Sequence, residues 1–277
     1  MKRTTLLAAA LAVLAASGAQ PAKKTTPQKV GTVSMSGYVG QRYADCINRR
    51  VKPENIDTLI SVFRLQDEKG GLWASEFWGK WVQGAIGMYH FTQDPELKSI
   101  VQQAEDRLMD CQLKDGYIGD YDTGHQLTGW DVWGRKYTLL GLIKWYQESG
   151  DKRALKAATR LLDYTMGQIG PGKKSILDCG AYVGMPPSSI LEPTMFMYQI
   201  TRKQRYLGFA KYIAQELNRP GGPELITKAN VPVARRVPLK PGDLWYGNKN
   251  GQKAYEMMSC YVGLLELFRV TGEPALL

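Results

Sequence analysis

With 277 residues, 44% of them hydrophobic, the chain is long enough for one large domain with a continuous core. Its 36 Lys and Arg against 26 Asp and Glu give a formal net charge of +10, but the basic residues are dispersed and no nucleic-acid-binding motif accompanies them, so the charge reads as a solvated surface. Four cysteines, Cys46, Cys111, Cys179 and Cys260, stand too far apart for a disulfide-framework scaffold or a CxxC metal site and read as buried thiols.

Residues 1–19 read as a cleaved export signal. Lys2 and Arg3 precede the apolar run Leu6 to Ala16, and Ser17-Gly18-Ala19 offers small residues for cleavage near Ala19. The run is short for a bilayer span and no second one follows. The expectation is an exported protein, periplasmic or extracellular, with no membrane insertion. Residues 20–35 read as a flexible polar leader and residues 36–277 as the folded domain.

From there the apolar spacing is helical almost throughout. NIDTLISVFRL, WVQGAIGMYHF, PELKSIVQQAEDRLMDCQ, YTLLGLIKWYQ, ALKAATRLLDYTMGQI, EPTMFMYQI, RYLGFAKYIAQEL and AYEMMSCYVGLLELFRV each carry an i, i+3/i+4 stripe. Residues 219–252, rich in Pro and Gly, predict a long loop or short hairpin. A pattern recurs at 88–97, 145–155, 197–207 and 267–277: an aromatic closes one helix, Thr or Ser opens a tight turn, and a Leu-bearing segment follows. Repeated αα-hairpins predict an all-α fold, an α/α toroid with inner and outer helices and about four hairpins in this chain. Only EPALL follows Thr271-Gly272. A toroid cut short is expected over an open arc, which would leave apolar edges exposed.

Two segments share an acid-x-Trp-Gly-base pattern, EFWGKW (76–81) and DVWGRKY (131–137). Glu76 with Lys80, and Asp131 with Arg135, stand at i, i+4 and can pair on a helix surface, with the acid near the positive end of the helix dipole. That is a complete structural explanation. It leaves the cluster of Trp78, Trp81, Trp130, Trp133 and Tyr137 beside glycines, which open space for something to approach. Glu192 and Glu256 also stand early in inner helices; the four acids precede their turn hydroxyls by 16, 18, 9 and 15 residues. Glu76, Asp131 and Glu256 are therefore expected at one mouth, with Glu192 deeper. Paired carboxylates among aromatic rings suit a carbohydrate, the acids as general acid and as nucleophile or base and the rings as stacking faces. Arg135 and Lys136 are candidates to bind a uronate or orient an acid. The loops QLKDGYIGDYDTGHQ and LDCGAYVGMPPSS, with Asp115, Tyr117 and Met185, are expected to feed the same mouth. Glu256 and Cys260, four apart on one face, make two candidate metal ligands, too few for a site.

EFWGKW, DGYIGDY, WDVWGRKYTLLGL, GMPPSSILEP and KAYEMMSC together resemble the exported branch of glycoside hydrolase family 127, the β-L-arabinofuranosidase-like proteins, over roughly residues 36–277. The resemblance implies a six-hairpin α/α toroid and carbohydrate hydrolysis, with a Glu acid, a zinc-held cysteine nucleophile and a Glu-x-Cys pair among the metal ligands. With Glu256 aligned to the ligand Glu, Met258 stands where the ligand Cys is expected, Cys260 lies two residues on, and the family's later cysteines and β-sandwich modules would fall beyond Leu277. The zinc ligand pattern is incomplete, and only Glu256 carries over. The expected function is an exported glycoside hydrolase-like protein acting on plant or microbial glycans such as β-L-arabinofuranosides, with Glu256 as first candidate for the acid and Asp131 as second. The alternatives are an unsaturated uronyl hydrolase with an Asp/Glu pair and no metal, and a non-catalytic sugar-binding remnant.

Overall fold

The computed structural model describes residues 34–69, 71–232, 235 and 253–276, and the helix is the regular element throughout them. The export signal, nearly all of the leader and residues 233–234 and 236–252 of the long loop lie outside the described residues. α1 (Gly37–Cys46) continues through a π-helical stretch, Ile47–Val51, to α2 (Ile56–Leu65). Then come α3 (Ser75–Thr92), α4 (Pro95–Asp110), α5 (Asp131–Ser149), α6 (Lys152–Gln168), the short α7 (Met185–Ser188), α8 (Leu191–Thr201), α9 (Gln204–Leu217) and α10 (Ala254–Thr271). Every helix expected from periodicity is present. α1 and the single-turn α7 are the additions: α7 lies within a segment expected as loop, and GYVGQRYADC of α1 buries none of its side chains, so it has no apolar stripe to read.

α3, α5, α8 and α10 pack side by side in that order, and α2, α4, α6 and α9 lie behind them. This is the inner and outer row of an α/α toroid. The inner helices approach closely because glycines stand at their contacts. A Cβ on Gly79 would lie 2.5 Å from the Tyr137 carbonyl oxygen, one on Gly141 2.5 Å from the Trp78 ring, and one on Gly263 2.8 Å from the Leu191 Cβ. What approaches the Trp-Gly pairs is thus the neighbouring helix, not a ligand.

The repeated turns are one structure. Thr92, Ser149, Thr201 and Thr271 each donate to the carbonyl four residues back (2.8, 2.7, 2.6 and 2.9 Å) and accept the amide two residues on. The residue between is left-handed in every case, Gln93, Gly150, Arg202 and Gly272, and ends its helix by donating to the carbonyl of the aromatic residue four back. After two of these turns the next helix is capped by an aspartate, Asp94 or Asp151.

One buried acid works against this packing. Glu105 on α4 is fully buried, and among the described residues neither carboxylate oxygen has a hydrogen-bond partner. Burial first, then the nearby charges of Asp151 and Asp106, push its pKa well above the usual glutamate value. The unfolded chain loses this proton near pH 4.3 while the folded chain keeps it, so Glu105 destabilises the fold increasingly as pH rises, by up to about 1.4 kcal/mol per pH unit between the two pKa values. Glu105→Met is therefore expected to raise the free energy of urea unfolding at pH 7.5 and to lose that advantage towards pH 4.5; a pH-independent difference would refute the assignment.

Candidate active site

At the N-terminal ends of α3, α5 and α10 lies a cleft of about 220 Å³, lined by Trp73, Glu76, Lys80, Trp130, Trp133, Lys253, Tyr255 and Glu256. The helical register explains who is there. Glu76, Trp133 and Tyr255 each stand 16 residues before the hydroxyl of their own turn, Thr92, Ser149 and Thr271. Asp131 stands two residues further out. At about 100° per residue that turns it some 200° around the helix, away from the cleft.

Carboxylates and ammonium groups meet here in pairs. Lys80 Nζ donates to Glu76 Oε1 at 2.8 Å, and the Trp133 indole N–H donates to Glu76 Oε2. Lys253 Nζ lies 3.1 Å from Glu256 Oε1, whereas Glu256 Oε2 is buried without a hydrogen-bond partner among the described residues. Beneath Trp133, Lys136 Nζ lies 3.6 Å from Glu192 Oε2. Burial lowers the Lys136 pKa and raises that of Glu192, each opposed by the partner's charge. The amines also sit over rings: Lys80 over Tyr137 and Tyr255 at 5.2 and 5.1 Å, Lys136 over Trp133 and Tyr137 at 4.8 Å, Lys253 over Trp130 at 5.1 Å. Tyr137 and Tyr255 share a hydrogen bond between hydroxyls at 2.5 Å.

Of the residues expected at the mouth, Glu76, Trp130, Trp133 and Glu256 line the cleft, and Tyr137, Lys136 and Glu192 lie against that wall. The others belong elsewhere. Asp131 is buried and accepts four hydrogen bonds, from the Tyr117 hydroxyl (2.9 Å), the Leu127 amide (2.8 Å) and Arg135 (3.1 and 2.6 Å), which leaves no lone pair for a substrate. Arg135 is buried too, and its guanidinium also reaches Gln126, Thr165 and Gln168, so it meets no ligand. Trp78 is core, edge-on to Phe63, and the Trp81 indole donates to the Val51 carbonyl. Asp115 accepts the Tyr117 amide within its own loop, and Met185 is buried, its carbonyl accepting the Cys260 thiol at 3.3 Å. Tyr117 and Tyr121 are loop braces rather than sugar platforms: Tyr121 accepts the Trp130 amide and donates to the Leu72 carbonyl.

The sequence did not mark Trp73, Lys253 and Tyr255 as cleft residues, and it showed Lys80 only as a partner for Glu76. The signal for Lys253 and Tyr255 was their spacing from Glu256, three residues and one residue before it. Trp73 precedes its helix and has no periodicity to reveal it.

The Glu256–Cys260 pair does not fit a metal site. Burial pushes the Cys260 thiol up to about 12, so it is not a ready thiolate. Among the described residues no group of three His, Cys, Asp or Glu side chains is placed to hold an ion. All four cysteines are free.

Residues 32–277 match the family described as Beta-L-arabinofuranosidase, GH127 catalytic domain. A non-reducing end β-L-arabinofuranosidase from Bifidobacterium longum subsp. longum is 24% identical over 150 residues, covering 48% of this chain and 21% of that protein. The crystal structure of a family 127 β-L-arabinofuranosidase from Geobacillus stearothermophilus T6 superposes with a TM-score of 0.58 at 17% identity, over 85% of this chain and 40% of that one. A second β-arabinofuranosidase of the same family gives 0.56 at 16%, over 88% of this chain and 40% of that one. The chain thus spans well under half the length of these relatives, and the structural likeness supports the toroid fold.

Proposed function

Since the chain belongs to the glycoside hydrolase family 127 catalytic-domain family, we propose that its cleft hydrolyses a glycosidic bond of a β-L-arabinofuranoside, with Glu256 as the proton donor to the leaving oxygen. The observation that carries this is the division of labour between two carboxylates in one aromatic cleft. Glu76 is tied at both oxygens, by Lys80 and by Trp133, and supplies a fixed negative charge facing the oxocarbenium-like centre. Among the described residues Glu256 is tied at one oxygen only, and Oε2, buried beside the cleft, is the atom whose hydrogen bond is still unspent. Trp130 and Trp133 form an aromatic wall beside the two carboxylates. No step runs through a metal, because the described donor set does not fit one. The Lys2-Arg3 start and the apolar run to Ala16 support action after export, in the periplasm or outside the cell.

Glu256→Gln tests the assignment. Loss of a general acid lowers kcat by about 10²–10⁴-fold. The loss should be largest for methyl β-L-arabinofuranoside, whose leaving group needs the proton, and smallest for a dinitrophenyl glycoside, with the melting temperature little changed. Equal losses on both substrates would remove the acid role from Glu256. A wild-type chain that binds arabinofuranosides without ever turning them over would leave sugar binding as its activity.

A further inference from the structure

The cleft is small and its floor is buried. Glu76, Trp133 and Glu256 are 6%, 1% and 1% exposed. At about 220 Å³ it falls below the range of roughly 300–1,000 Å³ that holds drug-sized ligands. One sugar ring fills it, so whatever that ring is attached to lies on the mouth.

The mouth carries an exposed indole. Trp73 is 44% exposed and lines the cleft beside Trp130. Its backbone carbonyl accepts the Glu76 amide at 3.1 Å as α3 begins, a contact any residue would make. The side chain needs another reason. Its ring meets Trp130 edge-on, 5.8 Å between centroids and 67° between planes, and among the described residues no ring stacks on its face. Trp130 is itself enclosed by Trp133, Tyr182 and the Lys253 ammonium. Trp73 therefore offers an open apolar face just beyond the buried carboxylates.

We propose that Trp73 is a specificity-determining residue that binds the sugar beyond the scissile bond by stacking on its C–H face. This rests on the hydrolytic reading of the cleft and names what occupies its outer half. It makes the protein selective for an arabinofuranose joined to a second sugar over the same arabinofuranose capped by a small alkyl group.

Calorimetry on the Glu256→Gln protein, with and without Trp73→Ala, tests it using methyl β-L-arabinofuranoside and a β-L-arabinofuranosyl disaccharide. Loss of a ring stack is expected to make Trp73→Ala weaken the disaccharide about two- to twelvefold more than the methyl glycoside. Trp73→Phe should recover most of the difference. Equal weakening of both ligands, no weakening, or failure of the disaccharide to bind the parent protein overturns the proposal. A wild-type protein that turns over neither sugar, yet shows the binding difference, defeats the hydrolytic reading and leaves Trp73's role standing.

Discussion

Asp131→Asn is expected to lose about 3–5 kcal/mol of folding free energy, because it leaves a buried guanidinium without its counter-charge. The Asp131 and Arg135 side chains are both 0% exposed, with Nη2 to Oδ2 at 2.6 Å. Solvent screening, which reduces surface pairs to about 1 kcal/mol or less, does not operate here. Arg135 also stacks over Tyr117 and Tyr164 at 4.9 and 5.4 Å and reaches α6 through Thr165 and Gln168, so the loss spreads from α5 into its partner helix. Urea unfolding followed by circular dichroism measures it. The double change Asp131→Leu with Arg135→Met should cost less than Asp131→Asn alone, since it removes both charges together. A change in stability below about 1 kcal/mol, coupled to loss of turnover, would instead return Asp131 to the catalytic site.

Gly79→Ala is the second large effect. Alanine has the better helix propensity by about 1 kcal/mol. Against that, its Cβ would lie 2.5 Å from the Tyr137 carbonyl oxygen and 2.6 Å from the Tyr137 Cβ, backbone and near-backbone atoms that cannot swing aside. Overpacking of this kind costs roughly 1–3 kcal/mol, and a rigid neighbour places it at the upper end. The net expectation is a loss of about 2 kcal/mol with α3 and α5 pushed apart. Gly84 and Gly87, on the same helix with nothing within 4 Å of an added Cβ, supply the control: alanine there should stabilise. If all three changes stabilise alike, the close helix contact is not what demands glycine at 79.

Most of the fold was legible because the helices announce themselves by period and the turns by repetition. α1 was not, since no buried face marks it. In the site, periodicity showed which residues share a helix face but not which face the neighbouring helix would claim. Trp78 and Trp81 were therefore grouped with Trp130 and Trp133, although the first pair packs away from the cleft and only the second lines it. The Glu76–Lys80 and Asp131–Arg135 pairs were both read correctly as pairs. Their different fates, one at the cleft and one interred, depend on two residues of register relative to the turn. Tyr117 was misplaced for a related reason: a loop tyrosine that braces a buried aspartate has the same composition as one that holds a sugar.

The shared turn makes each inner helix a measuring rod with a common zero mark. Sixteen residues at about 1.5 Å apiece set Glu76, Trp133 and Tyr255 at one height, about 24 Å above their Thr or Ser. Height and bearing are both locked by that count. One residue added or removed within α3, α5 or α10 would swing everything on its far side by about 100° and take that helix's contribution out of the wall. The return loops keep no such tally, so variation in length can accumulate there while the distance from zero mark to cleft stays the same.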